Sequence, residues 1–311
     1  MNREIITIIK ELSTEFNFQV NFLSKNWIIE ITKDEKIYHI FGYDWDINSS
    51  TANLIAKDKA ACYTLLSNKN IPSIEHILFL NPQIQTYIPE KGIWNDILSY
   101  AKKYDYNLVC KSNNGSGGNE VFKIKNQKEL EFCIHNLFNK NENLALSPFY
   151  NIKNEYRVII LKNNVLLIYK KEKPFIIGNG KNSIFELLMN KFKNLDLLEL
   201  DFIKDNIFNI PNIDEKVFIS WKHNLAKGAN PIIINEDNQL KKNLISIALK
   251  AGNAININFA SVDIVEIENQ LFVLEINSGI MLENFAKQDK YYYDIAKDVY
   301  RNAFKKLFLF N

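Results

Sequence analysis

Ser261-Val-Asp-Ile-Val-Glu-Ile-Glu-Asn-Gln-Leu-Phe-Val-Leu-Glu-Ile-Asn277 holds two β-prone runs that meet at Asn269, the pattern of a hairpin. With Asn269 at the centre of the turn, Asp263 lies opposite Glu275, Val265 opposite Val273 and Ile267 opposite Leu271. Asn277, two residues beyond Glu275, then shares its face. Directly opposed side chains have Cβ atoms about 4.5–5.5 Å apart. Two carboxylates that close repel unless one is protonated or a cation lies between them. The flanking residues are apolar, so this strand end is expected to be buried and water screens little of the cost. Two carboxylates and an amide oxygen are hard ligands suited to Mg²⁺, with Mn²⁺ as a further fit. Asp263, Glu275 and Asn277 are therefore the candidate metal ligands. An exposed hairpin whose acids face water is the competing reading of these residues.

Of 311 residues, 47% are apolar and 24% charged, enough for a sizeable core and too apolar for a disordered chain. The 38 basic residues against 36 acidic ones leave a net charge of +2, which argues against a dedicated nucleic-acid partner. Cys62, Cys110 and Cys133 are widely spaced and form neither a zinc pattern nor a disulfide framework, so a reducing, cytoplasmic setting is expected. No apolar run approaches the about 18–20 residues of a membrane span. Charges at Arg3, Glu4, Lys10 and Glu11 break the opening stretch and do not suit a signal peptide.

Residues 1–48 read as a helix carrying Ile5, Ile8, Ile9 and Leu12, followed by strands over Trp27–Ile31 and Lys36–Phe41. Residues 52–69 read as one helix, stopped at Asn70-Ile71-Pro72. Past a proline-containing connector come a helix with Trp94, Ile97, Leu98 and Ala101, and strands at 107–111 and 120–125. Asn126 and Glu129 resemble a capping box for a helix with Leu130, Cys133, Ile134 and Leu137 on its buried stripe. Strands at 144–150, 155–162, 164–170 and 216–221 follow, with helices near 183–190 and 240–255 and from about Asp289. Hairpin-linked strands with helices alongside read as α+β, not as a doubly wound parallel sheet. The expected division is a short N-terminal α/β lobe at 1–55, a helix and connector at 56–92, a small lobe at 93–150 and a large lobe at 151–311.

The chain has only ten glycines, and three of them fall in Lys111-Ser-Asn-Asn-Gly-Ser-Gly-Gly-Asn-Glu120, between two expected strands. Gly115, Gly117 and Gly118, with Ser116, let backbone N–H groups turn towards an anion. No Lys-Ser or Lys-Thr pair follows, so this is not a Walker loop, and it is not a dinucleotide fingerprint. A glycine-rich hairpin over nucleotide phosphates is the better analogue. A flexible surface hairpin would look the same, but Lys111, at the end of the preceding strand, could meet phosphate as a point charge. Lys59, Arg157, and Lys222 beside Asn224 are the other basic candidates. The four histidines form no motif suggesting a catalytic triad.

A phosphate loop, scattered lysines and a C-terminal carboxylate hairpin, in that order, resemble the ATP-grasp superfamily and within it the carboxylate–amine ligases. Lys57-Asp-Lys59 with Leu65-Leu66 and Asn70-Ile-Pro72 is similar to the family's "DK…LL…GIP". Leu108-Val-Cys-Lys111 with Asn114-Gly-Ser-Gly-Gly118 is similar to "VVKP…GSGG", and Glu155-Tyr-Arg157-Val to "EYRV". Lys173-Pro…Gly178-Asn-Gly180 resembles "RxP…GDG", and Lys222-His-Asn224…Lys227-Gly228 resembles "RSNxxRGG". Val262-Asp-Ile and Leu274-Glu-Ile-Asn-Ser278 resemble "GVDI…LEINS".

The resemblance implies an ATP-grasp fold, two α+β lobes gripping the nucleotide, here with a short N-terminal lobe. It implies ATP and Mg²⁺, with Lys59, Lys111 and the 115–118 loop on phosphates and Glu155 at the ribose. Arg157, Lys222 and Asn224 take the reacting end. The usual hinge acid is replaced by Ser147-Pro-Phe-Tyr150, so Phe149 and Tyr150 would pack on adenine. Lys173 and Lys222 stand where relatives have arginine, keeping the charge but losing the bidentate fork. The implied partners are a small-molecule or peptide carboxylate and an amine, with neither nucleic acid nor membrane; a homodimer is compatible. A kinase on the same fold and a non-catalytic nucleotide-binding module are the alternatives.

Overall fold

The computed structural model describes residues 3–82, 94–115, 117–118, 120–140, 142–191 and 203–309. It divides into two compact units, Met1–Ile168 with Ile234–Asn311, and Tyr169–Ile233.

The first unit opens with α1 (Glu4–Phe16), whose Ile5, Ile6, Ile8, Ile9 and Leu12 are buried on one stripe. A four-stranded antiparallel meander follows: β1 (Gln19–Leu23), β2 (Ile28–Lys33), β3 (Lys36–Phe41) and β4 (Asp44–Trp45). β1 and β4 add to the two strands expected in this stretch.

The single helix expected at 52–69 is two, α2 (Ser50–Lys57) and α3 (Lys59–Asn68). Asp58 breaks it: its backbone leaves the helical region, and its carboxylate accepts the Ala61 N–H at 2.8 Å as the N-cap of α3. A continuous helix would carry Lys59 in mid-span; the break sets it at the first position of α3.

The next layer comprises β5 (Ile77–Phe79), α4 (Trp94–Lys103), β6 (Leu108–Ser112), β7 (Val121–Ile124), α5 (Gln127–Phe138) and β8 (Leu144–Pro148). The sheet order is β5-β8-β6-β7, all antiparallel. The expected cap forms in a shifted version of the box: the Glu129 N–H donates to Asn126 Oδ1 at 3.0 Å, while the Glu129 carboxylate accepts the Asn126 side-chain amide at 3.1 Å and the Lys125 N–H at 2.9 Å.

β9 (Asn154–Leu161) and β10 (Asn164–Glu172) follow, and the end of β10 enters the second unit. There the end of β10 pairs with β13 (Asn230–Ile233), after β11 (Phe175–Ile177), α6 (Ile184–Lys191) and β12 (Lys216–Phe218). Gly178 is required in this unit, because a Cβ there would lie 2.0 Å from the Asn212 carbonyl oxygen.

The chain returns through α7 (Gln239–Ala254), β14 (Phe259–Ile267), β15 (Gln270–Asn277), α8 (Glu283–Ala286) and α9 (Lys290–Leu309). β14 lies between β9 and β15, antiparallel to both. Val158, Ile160, Val262, Ile264 and Ile276 pack one face of this sheet against Leu244, Ala248 and Ala251 of α7, in one core with Ala56 and Leu66. The other face carries the polar residues described next. Among the described residues no helix is long and apolar enough to cross a membrane.

Candidate active site

The centre of the site is one row across three strands. Arg157 on β9 pairs with Asp263 on β14, and Asp263 pairs with Glu275 on β15. Asn277 pairs with Ser261 in a neighbouring row of the same face. Asp263 therefore faces Glu275 as expected, but by a different route. Glu268 and Asn269, both with positive φ, form a two-residue turn that pairs Val265 with Phe272 and Ile267 with Gln270, not with Val273 and Leu271. Continued unbroken, that register would set Leu274 against Asp263. A β-bulge between Asp263 and Ile264 takes up Leu274 as the extra residue and brings Glu275 into line. Core packing reports the same shift: Val273 and Ile276, three apart, are buried in one cluster, which strict alternation forbids.

Asp263 is buried, and Arg157 holds it in a parallel fork: Nε donates to Oδ1 and Nη2 to Oδ2, each at 2.7 Å. The Asn277 amide donates to Glu275 Oε1 at 3.2 Å, which leaves the Asn277 carbonyl oxygen as its acceptor. Glu155, also buried, lies on the Arg157 face of β9, paired with Val265.

Two buried lysines share the electrostatics of this row. Lys111, at the end of β6, is pushed down to about 8 by burial, which Glu275 opposes and Lys59 reinforces. Burial also lowers Lys59, again opposed by Glu275. Glu275 is thus the anion common to both cations. The Lys59 ammonium donates to the carbonyls of Asn113, at 3.2 Å, and Gly115. The Asn113 carbonyl also accepts the Lys59 N–H at 3.3 Å, and Asn113 Oδ1 accepts the Ala60 N–H at 3.1 Å. The root of the glycine loop is therefore tied to the N-terminus of α3. Gly117 and Gly118 have φ of 70° and 71°, a left-handed pair open to glycine with little strain. Ser116 lies outside the described residues.

Phe149 and Tyr150 follow β8. The Phe149 N–H donates to Asn107 O at 2.9 Å, and the Lys123 ammonium lies 3.5 Å from the Phe149 ring centroid. Tyr150 is exposed. Lys222 and Asn224 belong to the second unit, where Asn224 caps a short 3₁₀ turn, Leu225–Lys227, by accepting the Ala226 N–H at 2.9 Å. Between them, His223 Nδ1 bonds to Lys171 O at 2.6 Å and anchors the loop to β10.

His76 is a buried neighbour with no motif to reveal it. Its Nδ1 bonds to Ile74 O at 3.0 Å, and among the described residues Nε2 has no hydrogen-bond partner. Burial, with Lys111 and Lys59 nearby, holds it well below the usual imidazole range and therefore neutral.

Residues 219–302 match the RimK-like ATP-grasp domain family, a stretch that includes Lys222, Asn224 and the whole carboxylate hairpin. The structure superposes on a bifunctional glutathione synthetase from Pasteurella multocida with a TM-score of 0.56 at 15% identity, over 95% of this chain and 43% of that one. The chain has the ATP-grasp fold. Two relatives are each 25% identical to this ATP-grasp chain. One is the glutathione biosynthesis bifunctional protein of Clostridium perfringens, matched over 63% of this chain and 28% of its own. The other is the tetrahydromethanopterin:alpha-L-glutamate ligase of Methanocaldococcus jannaschii, matched over 68% and 58%. The chain thus spans less than two thirds of either relative.

The residues present fit a divalent cation. Among the described residues no group of three or more Asp, Glu, His and Cys is close enough to hold an ion. The donors here are instead two directly opposed carboxylates and an amide oxygen, hard ligands of the kind Mg²⁺ takes when it shares its shell with phosphate.

Proposed function

We propose that this chain is an ATP-dependent carboxylate–amine ligase, acting in the cytoplasm, that makes an amide bond through an acyl phosphate and releases ADP and phosphate. The observation that carries this reading is the convergence of two buried lysines on a carboxylate that stands in register with a second, arginine-held carboxylate. Such a site offers cations to a polyphosphate and oxygen ligands to a metal, with little covalent work left for the protein.

Asp263, Glu275 and Asn277 would hold Mg²⁺, which when bound would supply positive charge against the phosphates. Lys59 and Lys111 bind the non-reacting phosphates, and the glycine loop offers them backbone N–H groups. Glu155 accepts from the ribose, and Phe149 and Tyr150 pack beside the adenine. Arg157 fixes the orientation of Asp263 and balances its charge. By the family resemblance Lys222 would meet the charge that develops on the phosphoryl group in transfer, with Asn224 in the same loop. The substrates are a carboxylate and an amine of amino-acid or peptide type.

The decisive assay is ADP and phosphate release screened against amino acids and small peptides, with product mass spectrometry. A ligase yields free phosphate and an amide; a stable phosphorylated product identifies a kinase instead. Lys222→Ala is expected to lower kcat and kcat/KM together by about 10- to 150-fold, the worth of one charge-assisted contact. Nucleotide affinity by calorimetry stays near wild type, and Lys222→Arg retains part of the activity. An equal fall in affinity returns Lys222 to an ordinary nucleotide contact.

A further inference from the structure

Asp44 lies at the start of β4, and its two carboxylate oxygens serve two distant segments. Oδ1 accepts from Ser278 Oγ at 2.6 Å, and Oδ2 pairs with Lys57 Nζ at 2.7 Å. Ser278 is buried and directly follows Asn277. Lys57 ends α2, two residues before Lys59.

Neighbouring contacts strengthen the same attachment. The Ile280 N–H donates to Tyr43 O at 3.1 Å. Asn48 holds the other strand: its Oδ1 accepts the N–H groups of Asn258 at 2.9 Å and Phe259 at 2.8 Å, and its amide donates to Phe259 O at 2.7 Å. Phe259 begins β14 and Asn277 ends β15, so one short stretch, 43–48, clasps the open end of the carboxylate hairpin on both strands.

Strand ends fray unless something fixes them. Asn277 is the last residue of its strand, so the direction of its amide depends on what holds residue 278. Metal ligands tolerate little displacement, and partners behind the ligands commonly matter 10- to 100-fold in affinity. We infer that Asp44 is a positioning residue for the metal end of the hairpin, acting through Ser278, and that the N-terminal lobe serves the site as its brace. This rests on the ligand assignment proposed above. The Lys57 arm contributes little, since that lysine is half exposed.

The test is Mn²⁺ binding, followed by electron paramagnetic resonance, with the full chain and a non-hydrolysable ATP analogue. Asp44→Ala and Ser278→Ala are each expected to weaken Mn²⁺ binding about 10- to 100-fold. The double variant should be no weaker than the worse single one, because both remove the same bond. Lys57→Met should stay within about twofold of wild type. Should Asp44→Ala fail to fold, Ser278→Ala deletes one hydroxyl and probes the same bond from the other side. The Mg²⁺ needed for half-maximal ADP release should rise in step, with metal-free nucleotide affinity unchanged. Unaltered Mn²⁺ affinity in folded Ser278→Ala, or additive losses in the double variant, overturns the role of Asp44. A wild-type protein that binds no Mn²⁺ with the analogue overturns the metal site itself.

Discussion

Glu275→Gln should lower Mg²⁺-dependent ADP release by about 100-fold or more, since even groups behind the ligands are worth 10- to 100-fold. Asp263→Asn should match that loss, yet the two variants should part company in stability. Asp263 is 1% exposed and fills both arms of the Arg157 fork. Neutralising it leaves a guanidinium, itself only 20% exposed, facing an amide. Removing one partner of such a pair costs about 3 kcal/mol, so denaturant midpoints should fall clearly for Asp263→Asn. Glu275 has no such fork; its loss relieves repulsion with the opposed Asp263 but removes the anion shared by buried Lys59 and Lys111, so Glu275→Gln should lose less stability than Asp263→Asn. Chemical denaturation beside steady-state turnover measures both effects. Wild-type turnover in either variant at ordinary Mg²⁺ would remove that residue from the shared site.

Lys111 should impose a pH dependence on nucleotide binding. Its proton leaves the folded, nucleotide-free protein at about 8, against 10.5 for an ordinary lysine, because burial disfavours the charge. Between these values the unfolded chain holds the proton and the folded one does not, so stability rises with pH across the window. The burden at neutral pH is on the order of 3 kcal/mol. Phosphate reverses the preference by favouring the ammonium form, so nucleotide binding above pH 8 must take up a proton. Affinity should fall about tenfold for each pH unit above 8, with proton uptake visible by calorimetry in buffers of different ionisation enthalpy. Lys111→Met should bind nucleotide about 10- to 150-fold more weakly at pH 7 and lose the dependence. Because Glu275 raises Lys111, Glu275→Gln should move the onset below pH 8. A wild-type affinity that is flat from pH 7 to 9.5 would contradict the buried-lysine account.

Much of this arrangement is legible in local sequence. The α5 cap rests on Asn126 and Glu129, three residues apart, and the buried stripes of α1, α5 and α7 follow from helical periodicity. The left-handed pair Gly117–Gly118 is foreshadowed by a chain that spends few glycines and places several together. These features depend on neighbours within a turn or two, where backbone preference and side-chain spacing act without help from the rest of the molecule.

Other features answer to partners far along the chain. A helical pattern runs through Asp58, but the cap at Ala61 and the docking of Asn113 on Lys59 and Ala60 end one helix and start another there. Nothing near His76 marks it, because its neutral state comes from burial beside lysines contributed by α3 and β6. Nothing beside Asp44 in the sequence marks its bond to Ser278, 234 positions away.

By itself the sequence determined that Asp263 and Glu275 sit on two strands of one hairpin, since alternation and a polar turn are local properties. Whether those carboxylates meet was decided by the tertiary structure. A two-residue turn alone would leave them one place out of line, and the bulge at Leu274 restores the match because it lets Val273 and Ile276 both reach the core beneath α7. The same folding brings Arg157 beside Asp263 from a strand more than a hundred residues earlier, which balances the charge of a buried carboxylate set opposite a half-buried one. Packing of apolar side chains thus set the register, and the register set the charges against one another.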